Sequence, residues 1–404
     1  MMNVLLLGAG ASKSYSESLT EVRMPIAKDF FRTFNQLSIS ENRWVLIGDI
    51  LNYLRDFHNI PWTDFLNYDE DIELLHSEVE EKLNYLLENK INVFGNTDNM
   101  LIYKTYIQLI FVFTSVINEI QNGPTSSSHL NLARHLSNDD VVITFNWDTL
   151  MDRALRQTTN WNTDRGYLVE PRMVYRDEWV KAVNNPFKDY PVILKLHGST
   201  NWLTSCLRPD GDKLKSTQET ATDDFYIYES TIKPYSTYDG RFMSGYTDFS
   251  YGYYPPNLPL KGEKAPKGYV FIAMTVRAEG MPKGTASSKG LVSMPLIIPP
   301  VKHKNYSHFG NIFAQLWSKA EESLVRAARI IIIGYSFPVT DTQTDELFKK
   351  AFAQRTNMPE ITIVDPTPQR IVDRFIFDYG IREGNITTYE THFDQHFKVD
   401  LLLG

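Results

Sequence analysis

The 404-residue chain holds a single cysteine, Cys206, so it can close no intrachain disulfide and build no cysteine-based zinc site. That usage fits a reducing compartment, and the cytoplasm is the expected location. Positive charge is also short. The formal net charge of −8 leaves no broad basic surface for nucleic acid or an anionic membrane, so neither is expected as a direct partner. The start, Met1 to Ser12, has an apolar run followed by small residues but lacks a basic n-region, and the run is too short for a signal peptide. Long apolar stretches are lacking elsewhere: the longest, Leu109 to Phe113, falls short of a membrane span. Internal repeats and low-complexity tracts are not apparent. What remains is a chain whose 42% hydrophobic content supports one elaborated α/β domain or two domains with a large core.

Chemistry gathers at the ends of apolar, β-branched runs. Val141 to Thr144 reads as a strand buried on both faces of a parallel sheet, and it runs into Phe145-Asn146-Trp147-Asp148. In open α/β sheets, ligands sit outside the carboxyl ends of the strands, so Thr144, Asn146 and Asp148 are expected to face a bound molecule. Pro191 to Leu196 repeats the arrangement and delivers His197, followed by Gly198-Ser199-Thr200-Asn201-Trp202. An amide, a carboxylate and an imidazole can hydrogen-bond a sugar, orient a water and accept a proton. Taken singly, an Asn closing a turn and a His satisfied in the core are equally good readings. At the start, Asn3 to Leu7 breaks into Gly8-Ala9-Gly10-Ala11-Ser12 before a helix, small residues that let a backbone approach a pyrophosphate. The third glycine of the usual dinucleotide fingerprint is replaced by Lys13, so a purely structural turn is as good a reading. Ser14 to Arg23 is polar and aperiodic and is expected to be a mobile loop over the site.

Between the first strand and Val141 the pattern is helical. Ile72, Leu75, Val79, Leu83 and Leu86 form one stripe, and Ile102, Tyr106, Leu109, Phe113, Val116 and Ile120 another. Residues 43–136 thus read as a helical insertion. Asp69-Glu70-Asp71 and Glu78-Glu80-Glu81 resemble metal ligands, but a solvated helix face is the better reading, and no metal site is expected. Asn160 to Asp189 reads as irregular. Residues 205–289, rich in Gly, Pro, Ser, Thr and Tyr, including Tyr246, Tyr251, Tyr253 and Tyr254, read as a second, loop-rich insertion with one strand at Tyr269 to Met274. Without concentrated Lys and Arg, this segment is better read as a self-packing lid or an oligomer contact than as a single-strand binding surface. Regular alternation then returns: a helix carrying Phe309, Phe313, Leu316, Trp317, Ala320 and Leu324, a strand Arg329 to Ile333 ending in Gly334-Tyr335-Ser336, and a strand Ile361 to Val364 ending in Asp365-Pro366. Asp365 can bind a ribose hydroxyl or simply form a turn before Pro366. The expected fold class is α/β, a Rossmann-like parallel sheet with a large helical insertion and a second loop/β insertion.

Taken together and in order, Gly8 to Ser12, Thr144 to Asp148, Leu196 to Ser199, Gly334 to Ser336 and Val364 to Pro366 resemble sirtuin-like NAD-binding domains, over most of the chain outside its two insertions. Pro299-Pro300 with Lys302, then Trp317, then Ile331 to Pro338 and Asp341, look more narrowly like the bacterial sirtuin-like branch associated with antiphage defence. The resemblance implies one sirtuin-like domain spanning residues 1–404. It also implies that Gly8, Ala9, Gly10, Ala11 and Ser12 cradle the NAD pyrophosphate, that Asn146 and Asp148, with Thr144, line the nicotinamide and ribose site, and that His197 is the catalytic imidazole. Gly334 and Ser336 would close over the phosphates or adenine ribose, with Asp365 beside that ribose, favouring NAD over NADP. Two departures stand out. The family's deacylases carry a four-cysteine zinc ribbon, and a Pro-Asp-Phe-Arg motif where Pro25 is here followed by Ile26-Ala27-Lys28. The leading expectation is therefore an NAD glycohydrolase releasing nicotinamide and ADP-ribose. An NAD-dependent protein deacylase or ADP-ribosyl transferase stays open, as does an inactive nucleotide-binding scaffold. An NAD-destroying enzyme needs control, and the α/β pattern and two insertions leave no residues for a separate sensor domain, so a homo-oligomer is expected. The resemblance implies a HerA-type ATPase or an Argonaute-like protein as a partner, and assembly or a partner would move the Ser14 to Arg23 loop to admit NAD.

Overall fold

A computed structural model describes residues 2–37, 43–68, 71–121, 123–175, 179–183, 189–205, 207–216, 225–228, 270–271, 291–298, 311–338 and 341–403. Its strands are β1 (Asn3–Leu7), β2 (Val141–Thr144), β3 (Met173–Tyr175), β4 (Trp179–Lys181), β5 (Val192–Lys195), β6 (Gly198–Ser205), β7 (Leu207–Asp210), β8 (Lys213–Ser216), β9 (Tyr226–Tyr228), β10 (Val270–Phe271), β11 (Leu291–Ile297), β12 (Arg329–Ile333), β13 (Glu360–Val364) and β14 (Ile386–Tyr389). The helices are α1 (Ala9–Lys13), α2 (Phe30–Phe34), α3 (Arg43–His58), α4 (Ile72–Glu88), α5 (Thr97–Gln121), α6 (Ser127–His135), α7 (Leu150–Thr158), α8 (Ile312–Arg326), α9 (Thr342–Ala353), α10 (Gln369–Phe377) and α11 (Asp400–Leu403).

The principal sheet has six strands in the order β14-β13-β12-β1-β2-β5, every pair parallel. Numbered along the chain, that is the doubly wound order 3-2-1-4-5-6, and the strand order reverses between β1 and β12. The fold is thus α/β and Rossmann-like. Burial explains which strands were readable. β2 and β5 are buried along their whole length, and β1, β12 and β13 are buried at all but the first residue, so their sequences are near-continuous Val, Ile and Leu. β14, Ile-Thr-Thr-Tyr, is the edge strand and half exposed, and its polar sequence gives no strand signal.

A second sheet, in the order β10-β11-β6-β9-β3-β4, corrects two expectations. The stretch from Asn160 to Asp189 is not wholly irregular, since it supplies β3 and β4, and the His197 strand end does not stop there. The chain leaves β5 through Leu196 and His197 and enters β6 at once. Gly198 makes the corner with φ at +79°, where a Cβ would meet the Leu296 carbonyl oxygen at 2.1 Å. His197 therefore sits at the joint between two sheets. Most of the expected second insertion, with Pro299, Pro300, Lys302 and Tyr246, Tyr251, Tyr253 and Tyr254, lies outside the described residues. Within it, β10 falls inside the expected strand, and β7 pairs with β8 as a hairpin.

Helices α1 to α6 lie between β1 and β2, with α3 to α6 inside the expected helical insertion. Central among them is α5, buried from Leu101 to Gln121 at every position except Lys104, as expected of a helix apolar on all sides. Its 25 residues are long and apolar enough to cross a membrane, which the short run at Leu109 to Phe113 did not disclose; 89% of its most apolar window is buried inside the protein. The acidic groups of this layer divide. Asp71 caps α4 by accepting from the Glu73 amide at 2.8 Å, and Glu78 bonds Tyr53 and Lys82, each at 2.7 Å. Glu80, expected on a solvated face, is only 9% exposed, and burial, with Glu81 adding, pushes its carboxyl up to about 7.

Burial also holds His76 neutral. Its ring is 0% exposed between Tyr106 and Phe113, which pushes its pKa down to about 3. His129 is 2% exposed and is pushed down to about 4 by burial, against the pull of Asp148 and Glu17. In the unfolded chain both imidazoles take up a proton near pH 6.5, whereas the folded state refuses it until pH 3 to 4. Their contribution to stability is therefore complete above about pH 6.5 and drains away as the pH falls, by on the order of a few kcal/mol by pH 4. Glu80 acts with the opposite sign, costing stability as the pH rises from 4.5 to 7. Urea unfolding at pH 7.5 and pH 4.5 checks this. His76→Leu is expected to narrow the gap between the two values, and Glu80→Gln to raise stability at pH 7.5; a gap unchanged by His76→Leu would remove the imidazole from the account.

Candidate active site at the strand ends

The loops after β1 and β12 meet where the strand order reverses. The Gly10 amide donates to the Gly334 carbonyl at 2.9 Å, the Gly8 amide to the Ile333 carbonyl at 3.0 Å, and the Gly334 amide to the Val364 carbonyl at 3.1 Å. Gly334 has φ at +60°, and a Cβ there would lie 2.6 Å from the Ala11 nitrogen; one on Gly8 would lie 2.5 Å from the Gly334 oxygen. Here the glycines serve a contact of backbone on backbone. The Gly10 amide, expected on a pyrophosphate, is spent inside the protein. Ala9, Gly10 and Ser336 remain exposed on this edge, while Gly8, Ala11 and Ser12 are buried.

From β2 the chain presents a connected set of polar side chains. Thr144 donates its hydroxyl to the Leu7 carbonyl at 3.0 Å and accepts from the Asn146 amide at 3.0 Å. Ser12 donates to Asp148 Oδ2 at 2.5 Å, and Asp148 Oδ1 accepts from the Leu150 amide at 3.0 Å, which caps the start of α7. The Asn146 carboxamide nitrogen donates to the Gly8 carbonyl and to Ser12 Oγ, both at 2.7 Å. A backbone carbonyl can only accept, and the Ser12 proton is committed to the carboxylate, so both neighbours demand the nitrogen. The orientation of the amide is thereby fixed. Its oxygen, Oδ1, is left with no partner among the described residues, on a half-buried side chain at the carboxyl end of β2. Thr144, Ser12 and Asp148, expected beside a bound molecule, are hydrogen-bonded within the protein and brace the Asn146 turn.

His197 is 6% exposed. Its ring lies 5.0 Å from Phe145 and 6.4 Å from Trp317, and its carbonyl accepts from the Ile298 amide at 2.8 Å. Phe145 is also stacked on Tyr335 at 4.8 Å. Neighbouring residues of one strand end thus turn two ways: Asn146 toward the first loop, and Phe145 toward the imidazole. Asp365 is half-buried, and its Oδ1 accepts from the Thr367 amide at 2.8 Å, so the turn-forming role is present whatever else the carboxylate does.

No family model matches the chain, and neither does any curated protein. Among solved structures, a triply substituted Sir2 homologue in complex with 2′-O-acetyl ADP ribose aligns with 100% of this chain and 90% of its own, at 13% identity and a TM-score of 0.39. Sir2Tm bound to a propionylated peptide aligns with 99% of this chain and 90% of its own, at 13% identity and a TM-score of 0.36. A Sir2 homologue mutant in complex with ADP ribose aligns with 100% and 90%, at 12% identity and a TM-score of 0.35.

Beneath the site lie groups that motif reading passed over. Lys195, 1% exposed, donates to the Asp148 carbonyl at 2.5 Å and pairs with the buried Asp152 carboxylate at 3.3 Å, which also accepts from the Tyr167 hydroxyl. A charged residue in a strand of Val, Ile and Leu was the signal available. The segment from Ser14 to Arg23, expected to be a mobile loop, is tied to the rest of the protein at Tyr15 and Glu17 and bonded to itself at Arg23. Tyr15 is 0% exposed and donates to the Pro124 carbonyl at 2.9 Å, Glu17 accepts from the Ser127 amide at 2.8 Å, and Arg23 donates to the Ser14 carbonyl at 3.2 Å.

Proposed function

We propose that the protein hydrolyses NAD, releasing nicotinamide and ADP-ribose. The observation that supports this reading most is the Asn146 carboxamide. Locked by Gly8 and by the Ser12–Asp148 pair, it presents only an acceptor oxygen at the carboxyl edge of a doubly wound sheet. In the reaction, the bond between ribose C1′ and the nicotinamide nitrogen breaks. Nicotinamide leaves neutral with the electron pair, positive charge spreads over the ribose, and a water oxygen bonds to C1′ from the opposite face. Asn146 Oδ1 accepts from that water or from a ribose hydroxyl and holds it in line, and the His197 imidazole takes the proton the water loses. The exposed surface of the small residues Ala9 and Gly10, with the Ser336 hydroxyl, is where the pyrophosphate would lie. Aromatic groups at Phe145, Trp317 and Tyr335 wall the imidazole side and keep bulk water from it.

Incubating the purified protein with NAD, with and without an acyl-lysine peptide, tests this reading. Equal amounts of nicotinamide and ADP-ribose, formed at the same rate without the peptide, are expected by chromatography. Peptide-dependent release with acyl transfer would assign a deacylase instead, and no loss of NAD under either condition would leave a binding scaffold.

A further inference from the structure

We propose that Gln121, at the end of α5, is a positioning residue that holds the Asn146 turn and the His197 strand in register; this rests on the NAD-cleaving reading above. Gln121 is 7% exposed, and its amide has every hydrogen-bonding site filled. The nitrogen donates to Asn118 Oδ1 at 2.7 Å and to Thr200 Oγ1 at 3.1 Å. The oxygen accepts from the Thr149 backbone amide at 2.8 Å and from the Thr149 hydroxyl at 3.1 Å. A backbone amide can only donate, so the oxygen must face Thr149 and the nitrogen Thr200. The Gln121 carbonyl accepts from Arg153 of α7 at 2.5 Å.

These partners belong to two separate pieces of the site. Thr149 lies three positions after Asn146, at the start of α7, and Thr200 lies three positions after His197, in β6. The same pieces also touch through Trp147, whose carbonyl accepts from the Thr200 amide at 2.9 Å and from the Ser199 hydroxyl at 3.2 Å. Asn146 and His197 each lie two positions beyond a strand of one sheet, and from there the chain diverges, in one case into a helix and in the other across the corner into the second sheet. Gln121 bridges them from a third element, the helical layer, through bonds to both pieces from one amide. Two groups that must act on one water need mutual placement, and an error near 1 Å is worth roughly a hundredfold in rate. Among the described residues, none of the Gln121 hydrogen bonds reaches the loop of Ala9 and Gly10 or the Ser336 hydroxyl, so its loss is expected to act on kcat more than on KM.

Gln121→Met keeps the length and loses both arms of the clamp. Two measurements on the full chain read the result. Hydrogen exchange followed by mass spectrometry needs no substrate: amides in the peptides spanning 145–150 and 196–202 are expected to exchange faster together, and acceleration in neither overturns the clamp whatever the activity. In NAD turnover, kcat is expected to fall tenfold or more with KM within twofold, and with the pH dependence of kcat altered because the imidazole is no longer held against its water. An unchanged kcat, or a rise in KM alone, overturns the positioning role. No turnover by the unsubstituted protein refutes NAD cleavage, a failure distinct from that of the clamp. Should Gln121→Met fail to fold, Thr200→Val removes the acceptor of the far arm and leaves the Thr149 arm in place; it is expected to lower kcat severalfold with KM unchanged and to speed exchange in the 196–202 peptide, and an unchanged kcat with unchanged exchange overturns the clamp.

Discussion

Asn146→Ala and His197→Ala are each expected to lower nicotinamide release roughly a hundredfold or more, while circular dichroism and the urea midpoint show a folded protein. The two losses differ in kind. Removing the Asn146 amide takes away the acceptor oxygen and also frees Gly8 and Ser12 from their shared donor. Asn146→Asp sharpens the test. It keeps the shape and two oxygens, yet it cannot donate to the Gly8 carbonyl and places a second carboxylate beside the Ser12–Asp148 pair. Activity is expected to fall as far as with Ala. At His197, Gln keeps a polar side chain at the joint of the sheets but has no basic nitrogen to take the proton, so it is expected to restore packing and not rate. Full activity in both alanine variants would dispose of the mechanism.

Lys195→Met is expected to cost roughly 3–5 kcal/mol, the usual consequence of removing one partner from a buried ion pair. The ammonium is 1% exposed, and the structure commits it to Asp152 and to the Asp148 carbonyl. Without it, the Asp152 carboxylate stays buried against Tyr167 with no countercharge, and the turn that carries Asn146 loses a backbone anchor. Activity is expected to fall along with stability. Replacing both residues, Lys195→Met with Asp152→Leu, removes the orphaned charge and is expected to recover most of the lost stability but little of the activity, because the Asp148 carbonyl still lacks its donor. Urea midpoints for the single and double variants measure this. A single variant as stable as the unsubstituted protein would show that the ion pair contributes nothing.

The parts of this fold that were legible were those in which a local pattern and a tertiary requirement coincide. A strand buried on both faces is mostly apolar, so β1, β2, β5, β12 and β13 announce themselves, and the polar residues that stop them mark the carboxyl edge of the sheet. The edge strand β14 and the short β3, β4 and β9 meet no such requirement and left no run to read. β6 was hidden for another reason: Gly198 to Trp202 looked like the tail of a motif, and only the corner at φ +79° shows the chain entering a second sheet. Within the site, residue types were legible and their division of labour was not. Whether Ser12, Thr144 and Asp148 face a ligand or one another depends on how loops from distant strands approach, which one-dimensional spacing does not encode. Gln121 carried a faint signal, as one of three polar residues, with Asn118 and Glu119, gathered at the end of a mostly apolar helix.

That same helix has a consequence for how the protein is made. The covering of α5 comes partly from α3 and α4, which precede it, and partly from β6 and β11, which follow it in the chain. At synthesis rates of roughly 5–20 residues per second, the ribosome reaches β11 on the order of ten seconds or more after the last residue of α5. Through that interval a segment apolar enough to enter a bilayer is sheltered on one side only. Its fate on the ribosome is a contest between docking onto its two earlier neighbours and capture by chaperones or lipid. Substitutions that loosen α3 or α4 will therefore be felt first as lost yield, before any change in the melting of the molecules that do fold.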